Sequence, residues 1–194
     1  MSGVDEADRA VSEVAAQYAR VADRFGARVD GVSDAAWDEP APCEGWLARD
    51  VVRHLVEWFP PFLATGAGIE FAAGPSVDED PVAAWQALDE QVRALLASPD
   101  AATRMFVHAQ AGTHPLDQAI GMFFTGDLVI HTWDLARATG QDETIDPEMA
   151  VGMLAGMEPI DEMLRGSGHY GPRVRVAEDA DVATRLIAFT GRQP

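Results

Sequence analysis

Two segments of the chain repeat one arrangement, in which a carboxylate, a histidine and a second carboxylate lie at positions i, i+4 and i+7. The members are Asp50, His54 and Glu57 in the first segment, and Asp127, His131 and Asp134 in the second. This spacing places all three side chains of a segment on one face of a helix. Imidazole nitrogens and carboxylate oxygens can bind divalent cations as well as form hydrogen bonds. The pattern therefore predicts either a metal site or two buried histidines that only satisfy the core.

The spacing favours three of these side chains as metal ligands. Side chains at i and i+4 have Cβ atoms about 5–6 Å apart, so Asp127 and His131 can bind one cation together. His54, on a facing helix, would supply the third ligand. Two imidazoles and one carboxylate leave at least one position open for water or substrate, as in catalytic sites. Because the ligands are nitrogen and oxygen without a thiolate, Zn²⁺ is the leading candidate, with Ni²⁺, Fe²⁺ and Mn²⁺ as alternatives.

Other residues near the two histidines keep more than one interpretation. Spacing does not exclude Asp50, Glu57 and Asp134 as ligands. They could equally orient the imidazoles through hydrogen bonds, or lie on solvated helix faces. Trp58 and Trp133 adjoin the two histidine stripes, where they could form the walls of a pocket.

The remaining thiol and imidazoles are weaker candidates. Cys43 precedes the helix of His54, and the helical rise puts the two about 12 Å apart, so a structural loop cysteine is favoured over a ligand or nucleophile. His108 and His114 could overhang the mouth of a helical bundle, with a surface or capping role favoured. His169 is most simply a loop residue. No side chain is predicted to act as the catalytic nucleophile.

Helical periodicity dominates the chain and places these side chains on helices. The predicted helices cover about residues 5–28, 46–60, 81–97, 115–139 and 147–164, and a last one begins near residue 180. Pro60 and Pro61 are expected to end or kink the second helix because proline lacks the amide donor. A short hairpin at residues 103–114 and a short strand at residues 174–176 are the predicted β structure.

Four long helices with modest connections predict an all-α fold with minor β structure, arranged as an antiparallel four-helix bundle. We expect residues 1–165 to form this bundle and residues 166–194 to form a short strand–helix tail that packs on it. Bundles of this kind build ligand and metal sites from side chains that face one another across the core.

The charge balance excludes several classes of function. The 194 residues include 14 basic and 32 acidic side chains, for a net charge of −18. Nucleic acid and anionic membranes are not expected as partners, because both require a basic surface.

The lone Cys43 excludes an intramolecular disulfide and a multi-cysteine zinc module. Without a secretory signal or an apolar run of about 20 residues, the protein is expected to be cytoplasmic.

Three segments resemble one protein family. PCEGWLARDVVRHLVEW, residues 42–58, is similar to the start of the second helix in the DinB-like superfamily. It resembles in particular the metal-binding domain of mycothiol-dependent maleylpyruvate isomerase and its actinobacterial relatives. DLVIHTWDLARATGQD, residues 127–142, resembles the second signature of that family, and DADVATRLIAFTGRQP, residues 179–194, resembles its C-terminal tail.

The resemblance implies a DinB-like four-helix bundle that holds a divalent metal through His54, Asp127 and His131. The carboxylate ligand of the family is often Glu, so with the shorter Asp127 the metal is expected to lie nearer its helix. The resemblance also implies thiol chemistry with mycothiol as cosubstrate, in which a thiolate adds to an electrophilic carbon.

Three functional hypotheses follow. The first is a metal-dependent thiol S-transferase or isomerase that acts on a small electrophilic molecule. The second is a non-catalytic bundle that binds a metal or a small ligand. The third is a structural bundle that acts as a homodimer. The set of His54, Asp127 and His131 discriminates among them, because a purely structural bundle does not need it.

Overall fold

Helices make up most of the computed structural model, which describes residues 2–194 and the side chains from residue 13 onward. The α-helices are α1 (Ser2–Asp30), α2 (Ala48–Ala67), α3 (Pro81–Leu96), α4 (Leu116–Ala119), α5 (Gly126–Thr139), α6 (Pro147–Met157), α7 (Asp161–Gly166) and α8 (Val182–Phe189). Short 3-10 helices cover Asp34–Asp38 and Glu158–Ile160, a π-helix covers Ile120–Thr125, and strands β1 (Met105–His108) and β2 (Gly112–Pro115) pair as an antiparallel hairpin. None of the helices in this part of the chain is long and apolar enough to cross a membrane.

The four long helices contact one another in a closed ring. α1 packs against α3 and α5, and α2 packs against the same two helices. In α5, every residue from 128 to 136 is buried. A helix buried on all sides is normally apolar, so His131 and Asp134 in this stretch each need a polar partner. The mostly helical fold with a small hairpin is confirmed, and the antiparallel four-helix bundle stays a prediction.

Helix α2, which carries His54, extends beyond its two prolines. Of the two predicted effects of Pro60 and Pro61, the end of the helix is wrong, since the helix continues to Ala67 and ends at Gly68 with a left-handed φ of 61°. The alternative, a kink, stays a prediction. The buried face of the helix explains the difference, because large apolar side chains contribute about 1.5–3 kcal/mol each when buried. That contribution offsets the roughly 3 kcal/mol that an interior proline costs.

The predicted fourth helix is continuous but not uniform. Between α4 and α5, the six residues Ile120–Thr125 form a π-helix that ends two residues before Asp127. The ring of Phe124 in this segment stacks on Phe59 of α2, with centroids 3.8 Å apart and planes 6° apart. π-helical turns concentrate at functional sites. Gly140 ends α5 with a left-handed φ of 68°.

The predicted fifth helix is divided into two. α6 ends at Met157, and a 3-10 turn containing Pro159 separates it from α7. The turn replaces a continuous α-helix because Pro159 has no N–H to donate. α6 then packs against α8 from the end of the chain.

The C-terminal segment packs through loop and helix contacts. The predicted strand at residues 174–176 is wrong, because the Val174 N–H donates to the carbonyl of Ala188 at the end of α8 rather than to a neighbouring strand. The backbones of Gly171 and Gly191 lie so close that a Cβ on Gly191 would be 2.8 Å from the Gly171 Cα. The boundary between a bundle and a tail at residue 165 stays a prediction.

Candidate metal centre

The three predicted ligands His54, Asp127 and His131 lie together between α2 and α5. One ligand atom from each lies within 4.8 Å of the other two. His54 Nε2 is 3.1 Å from Asp127 Oδ2, and His131 Nε2 is 3.3 Å from Asp127 Oδ1. Donor atoms bound to one ion at about 2.0–2.2 Å lie roughly 3–4 Å from each other, so the set fits a divalent cation.

Asp127 is the central side chain of this group. The indole N–H of Trp58 donates a hydrogen bond to its Oδ2 at 3.0 Å. Burial alone would raise the pKa of Asp127, but the adjacent His131 and His54 rings hold that pKa well below its usual range. The carboxylate is therefore ionised, which is the state that binds a cation. The side chains of His54 and Asp127 are 28% and 22% exposed, so a small molecule can reach them.

A buried carboxylate contacts His131 on the side of the ring that faces away from Asp127. Asp134 is fully buried, and because an ionised carboxylate only accepts hydrogen bonds, the Nδ1–H of His131 donates to it at 2.9 Å. Arg192 donates to both oxygens of Asp134, from Nε and Nη2, each at 2.7 Å. A bidentate guanidinium compensates the carboxylate charge and holds it in place. Asp134 thus fixes the His131 ring with Nε2 toward Asp127.

The protonation of His131 depends on these neighbours. Burial of the ring opposes protonation, yet the carboxylates of Asp127 and Asp134 outweigh that effect and raise the pKa of His131 to about 9. In the metal-free protein, both ring N–H groups then donate to carboxylates at neutral pH. A cation that binds Nε2 must displace the proton, so metal binding releases a proton.

Sequence comparison links this geometry to known proteins. Residues 18–136, which include His54, Asp127 and His131, match the mycothiol maleylpyruvate isomerase N-terminal domain family. The chain belongs to this family. Two uncharacterized proteins, from two strains of Mycobacterium tuberculosis, are each 31% identical to the chain over 188 residues, covering 90% of this chain and 95% of the relative. No solved structure matches the chain significantly.

Cys43 lies closer to the candidate metal centre than the sequence predicts. The expected separation of about 12 Å between Cys43 and His54 assumes that the residues before α2 continue along the direction of the helix. Instead the chain reverses direction around Gly45, which has a φ of 78°, and Pro40 pairs with Leu47 across the turn. Cys43 Sγ lies 3.6 Å from Asp134 Oδ2 and 3.3 Å from Arg192 Nη2.

Cys43, His131 and Asp134 form a second group of potential ligand atoms, also within 4.8 Å of one another. The positive charge of Arg192 lies against both Cys43 and Asp134 and would repel a cation there. Burial of the thiol and the charge of Asp134 raise the pKa of Cys43 to about 12. The thiol is therefore protonated at neutral pH, which disfavours it as a ligand and as a nucleophile.

Two of the predicted alternative ligands lie outside both groups. Asp50 Oδ2 accepts the Leu47 N–H at 2.9 Å, and Arg53 pairs with its other oxygen at 3.1 Å. Asp50 thereby caps the N-terminus of α2. Glu57 is exposed to solvent.

Aromatic rings enclose the two histidines. Trp58 lies 5.9 Å from the His54 ring, and its role as a pocket wall stays a prediction. Trp46, which the spacing did not single out, stacks on His131 with centroids 5.8 Å and planes 15° apart. Trp133 is buried and packs under the guanidinium of Arg137, 4.5 Å from its ring.

His108 and His114 both stabilise the hairpin. Nδ1 of His108 accepts from the N–H groups of Gln110 and Ala111 at 3.3 Å, and Nε2 of His114 bonds to the carbonyl of Ala111 at 2.7 Å. The surface or capping role that the sequence favours for these two residues stays a prediction.

The sequence pattern missed Arg192 and Tyr170 as residues of the centre. Arg192 is 58 residues from Asp134, and no periodicity links the two positions. Tyr170 lines a cavity together with Asp127. Burial of the phenol, and then the charge of Asp127, raise the pKa of Tyr170 to about 12. The hydroxyl therefore keeps its proton and can donate a hydrogen bond at neutral pH.

Proposed function

We propose that the chain binds a divalent metal through His54, Asp127 and His131, and that it transfers a small thiol to an electrophilic molecule or isomerises that molecule. The observation that supports this proposal is the convergence of one imidazole from α2 with an imidazole and a carboxylate from α5, all within 4.8 Å. Zn²⁺ is the first choice for this nitrogen and oxygen set, with Ni²⁺, Fe²⁺ and Mn²⁺ as alternatives. The family description supports mycothiol as the thiol.

A bound divalent cation would lower the pKa of a thiol at its open position and so supply a thiolate nucleophile. Neighbouring side chains orient the proposed metal ligands. Trp58 donates to Asp127, and Asp134 fixes the direction of His131. Cys43 stays protonated, so the reacting thiol is a cosubstrate and not a side chain.

The net reaction distinguishes the two activities. In S-transfer, a bond forms between the thiol sulfur and the electrophilic carbon. In an addition, the thiol proton ends on the neighbouring carbon of the former double bond, and in a substitution the bond to the leaving group breaks and that group departs together with the proton. In isomerisation, the sulfur adds, the single bond that results rotates, and the sulfur leaves again with the double bond restored.

The proposal is tested by metal analysis of the protein purified without a chelator. We expect about one ion per chain in the wild type and in His169→Ala, and loss of the ion in His131→Ala, because of these two histidines only His131 is a proposed ligand. His169 is exposed and serves as the matched control. Equal metal retention in the two variants would refute the ligand assignment.

The catalytic part is tested separately with the metal-loaded wild type. Loss of free mycothiol and isomerisation of the electrophile in the presence of mycothiol are both measured over a panel of small electrophiles, with metal-free His131→Ala as the blank. Metal-dependent consumption of thiol supports the transferase, and metal-dependent isomerisation without net consumption of thiol supports the isomerase. A stably bound metal with neither activity would favour a non-catalytic metal-binding protein.

A further inference from the structure

A cavity of about 840 Å³ lies between α1, the π-helix, α5 and α6. Asp127 is part of its wall, so the cavity reaches the candidate metal centre. Its volume falls in the range of about 300–1,000 Å³ that is typical of sites for small molecules. The cavity therefore has the size and the position of a substrate site.

The wall formed by α6 is apolar and adaptable. Met149, Met153 and Met157 follow one another at intervals of four residues, and all three are half-buried along the cavity. Thioether side chains are flexible and polarisable, so they adapt to apolar ligands of different shapes.

Most polar groups of the lining already have protein partners. The hydroxyls of Thr125 and Thr132 donate to backbone carbonyls, and Gln17 donates to the sulfur of Met149. The Tyr170 hydroxyl makes no hydrogen bond to any group that the structure describes between residues 13 and 194. It is thus a donor that a ligand with one acceptor group can use.

Apart from Asp127 of the candidate metal centre, the charged side chains of the lining balance one another. Arg20 and Arg24 of α1 are exposed, as are Asp146 and Glu148 at the start of α6. Two positive and two negative charges give this solvent-facing side no preference for an ion. The lining is therefore suited to a neutral ligand.

Glycines keep the cavity open. Gly152 and Gly156 lie on its α6 wall, and a Cβ added to either would meet no atom within 4 Å. Glycine inside a helix costs about 1 kcal/mol relative to alanine, so filling these positions should not weaken α6. They are accordingly suitable positions at which to close the cavity without damaging the fold.

We propose that this cavity binds the electrophilic substrate, a small neutral molecule with an apolar body along the α6 methionines and a carbonyl-type oxygen that accepts a hydrogen bond from Tyr170. That this molecule is a substrate rests on the proposed function. That the cavity binds it does not, so the proposed function and the binding of the molecule by the cavity can fail independently.

The test uses prodan, a neutral naphthyl ketone whose fluorescence moves to shorter wavelength in apolar surroundings and to longer wavelength when its carbonyl accepts a hydrogen bond. We expect saturable binding to the wild type, and an affinity at least about ten-fold lower in Gly156→Leu, because the added side chain occupies the cavity. Ala155→Leu is the matched control, since Ala155 is exposed on the same helix and does not line the cavity. Its affinity should equal that of the wild type.

Tyr170→Phe tests the acceptor contact. Bound prodan should emit at shorter wavelength in this variant than in the wild type, because the hydrogen bond to its carbonyl is lost. Identical emission in the two proteins would overturn the role of Tyr170.

Metal content and circular dichroism of every variant separate the possible failures. If Gly156→Leu does not fold, Gly152→Leu takes its place. Absence of saturable binding by the wild type, or equal affinity in the filled and control variants, would overturn the cavity as a binding site. Loss of metal from the wild type without loss of prodan binding would instead count against the proposed function alone.

Discussion

At the scale of single residues, the most consequential contact is the one between Arg192 and Asp134. A carboxylate with no solvent exposure is stable only when its charge is paired, and here it is shared between a guanidinium and the His131 ring. The i+7 spacing predicted Asp134 as one of several alternatives. Arg192 could not be predicted, because its contact depends on how the whole C-terminal segment packs.

We predict that Arg192→Met lowers the affinity for Zn²⁺ by about 10- to 100-fold, because Asp134 then holds His131 less firmly. The affinity is measured by competition with a chromophoric chelator. Arg137→Met is the control, since Arg137 pairs with Glu143 at the surface and should change the affinity little. Equal affinities in the two variants would contradict the positioning role.

At the scale of elements, the periodicity of apolar residues predicted the positions of the helices well. It predicted their ends and bends less well. Apolar spacing identified α3 and the hairpin closely, since these elements have clear turn residues at their ends. The passage of α2 through two prolines was missed because its support comes from buried neighbours. The return of the Cys43 loop was missed for a similar reason, as it depends on one left-handed glycine.

The contact between α2 and the hairpin makes a prediction at this scale. A Cβ on Gly66 would lie 2.1 Å from the fully buried ring of Phe106, so Gly66→Ala forces that ring to move. We expect the free energy of unfolding to fall by about 1–3 kcal/mol, as measured by urea denaturation.

The matched substitution for this prediction is Gly156→Ala, which is also in a helix but meets open space. It should leave stability unchanged or raise it by up to about 1 kcal/mol, because alanine favours the helix. If both variants lose the same stability, the Gly66 contact with Phe106 is not the cause.

At the scale of the whole molecule, the C-terminal segment contacts the candidate metal centre and the cavity beside it. The segment supplies Arg192 and Tyr170, while the family match ends at residue 136. Arg165 anchors it by donating to the carbonyls of Gly171 and Phe189. The candidate ligand set could therefore be proposed from two helices, whereas its surroundings required the complete fold.

The close contact of Gly191 with Gly171 should stabilise this arrangement. Gly191→Ala is expected to lose about 1–3 kcal/mol of unfolding free energy from the strained φ of 91°, with a further loss from the backbone contact. The control is Gly168→Ala. Gly168 has a φ of 78°, so alanine is strained there too, but an added Cβ would meet no atom within 4 Å. Urea denaturation should show the larger loss in Gly191→Ala, and the reverse order would contradict the importance of the contact.

Metal binding should also stabilise the entire molecule, because the ligands connect α2 to α5. At a free Zn²⁺ concentration of 100 times Kd, we expect a gain of about 2.7 kcal/mol in the free energy of unfolding. The gain is measured by urea denaturation with and without Zn²⁺. His131→Ala should show no gain, and an equal gain in that variant would place the metal elsewhere.

The π-helix at Ile120–Thr125 determines where the chain can change length. Its hydrogen bonds span five residues, so each turn holds one residue more than an α-helical turn. Removing a single residue there can convert the wide turn to an ordinary one while α5 keeps its direction. The same deletion between Asp127 and His131 changes their spacing to i, i+3 and disrupts the pair. Among homologues, insertions and deletions in this helix should therefore be concentrated ahead of Asp127.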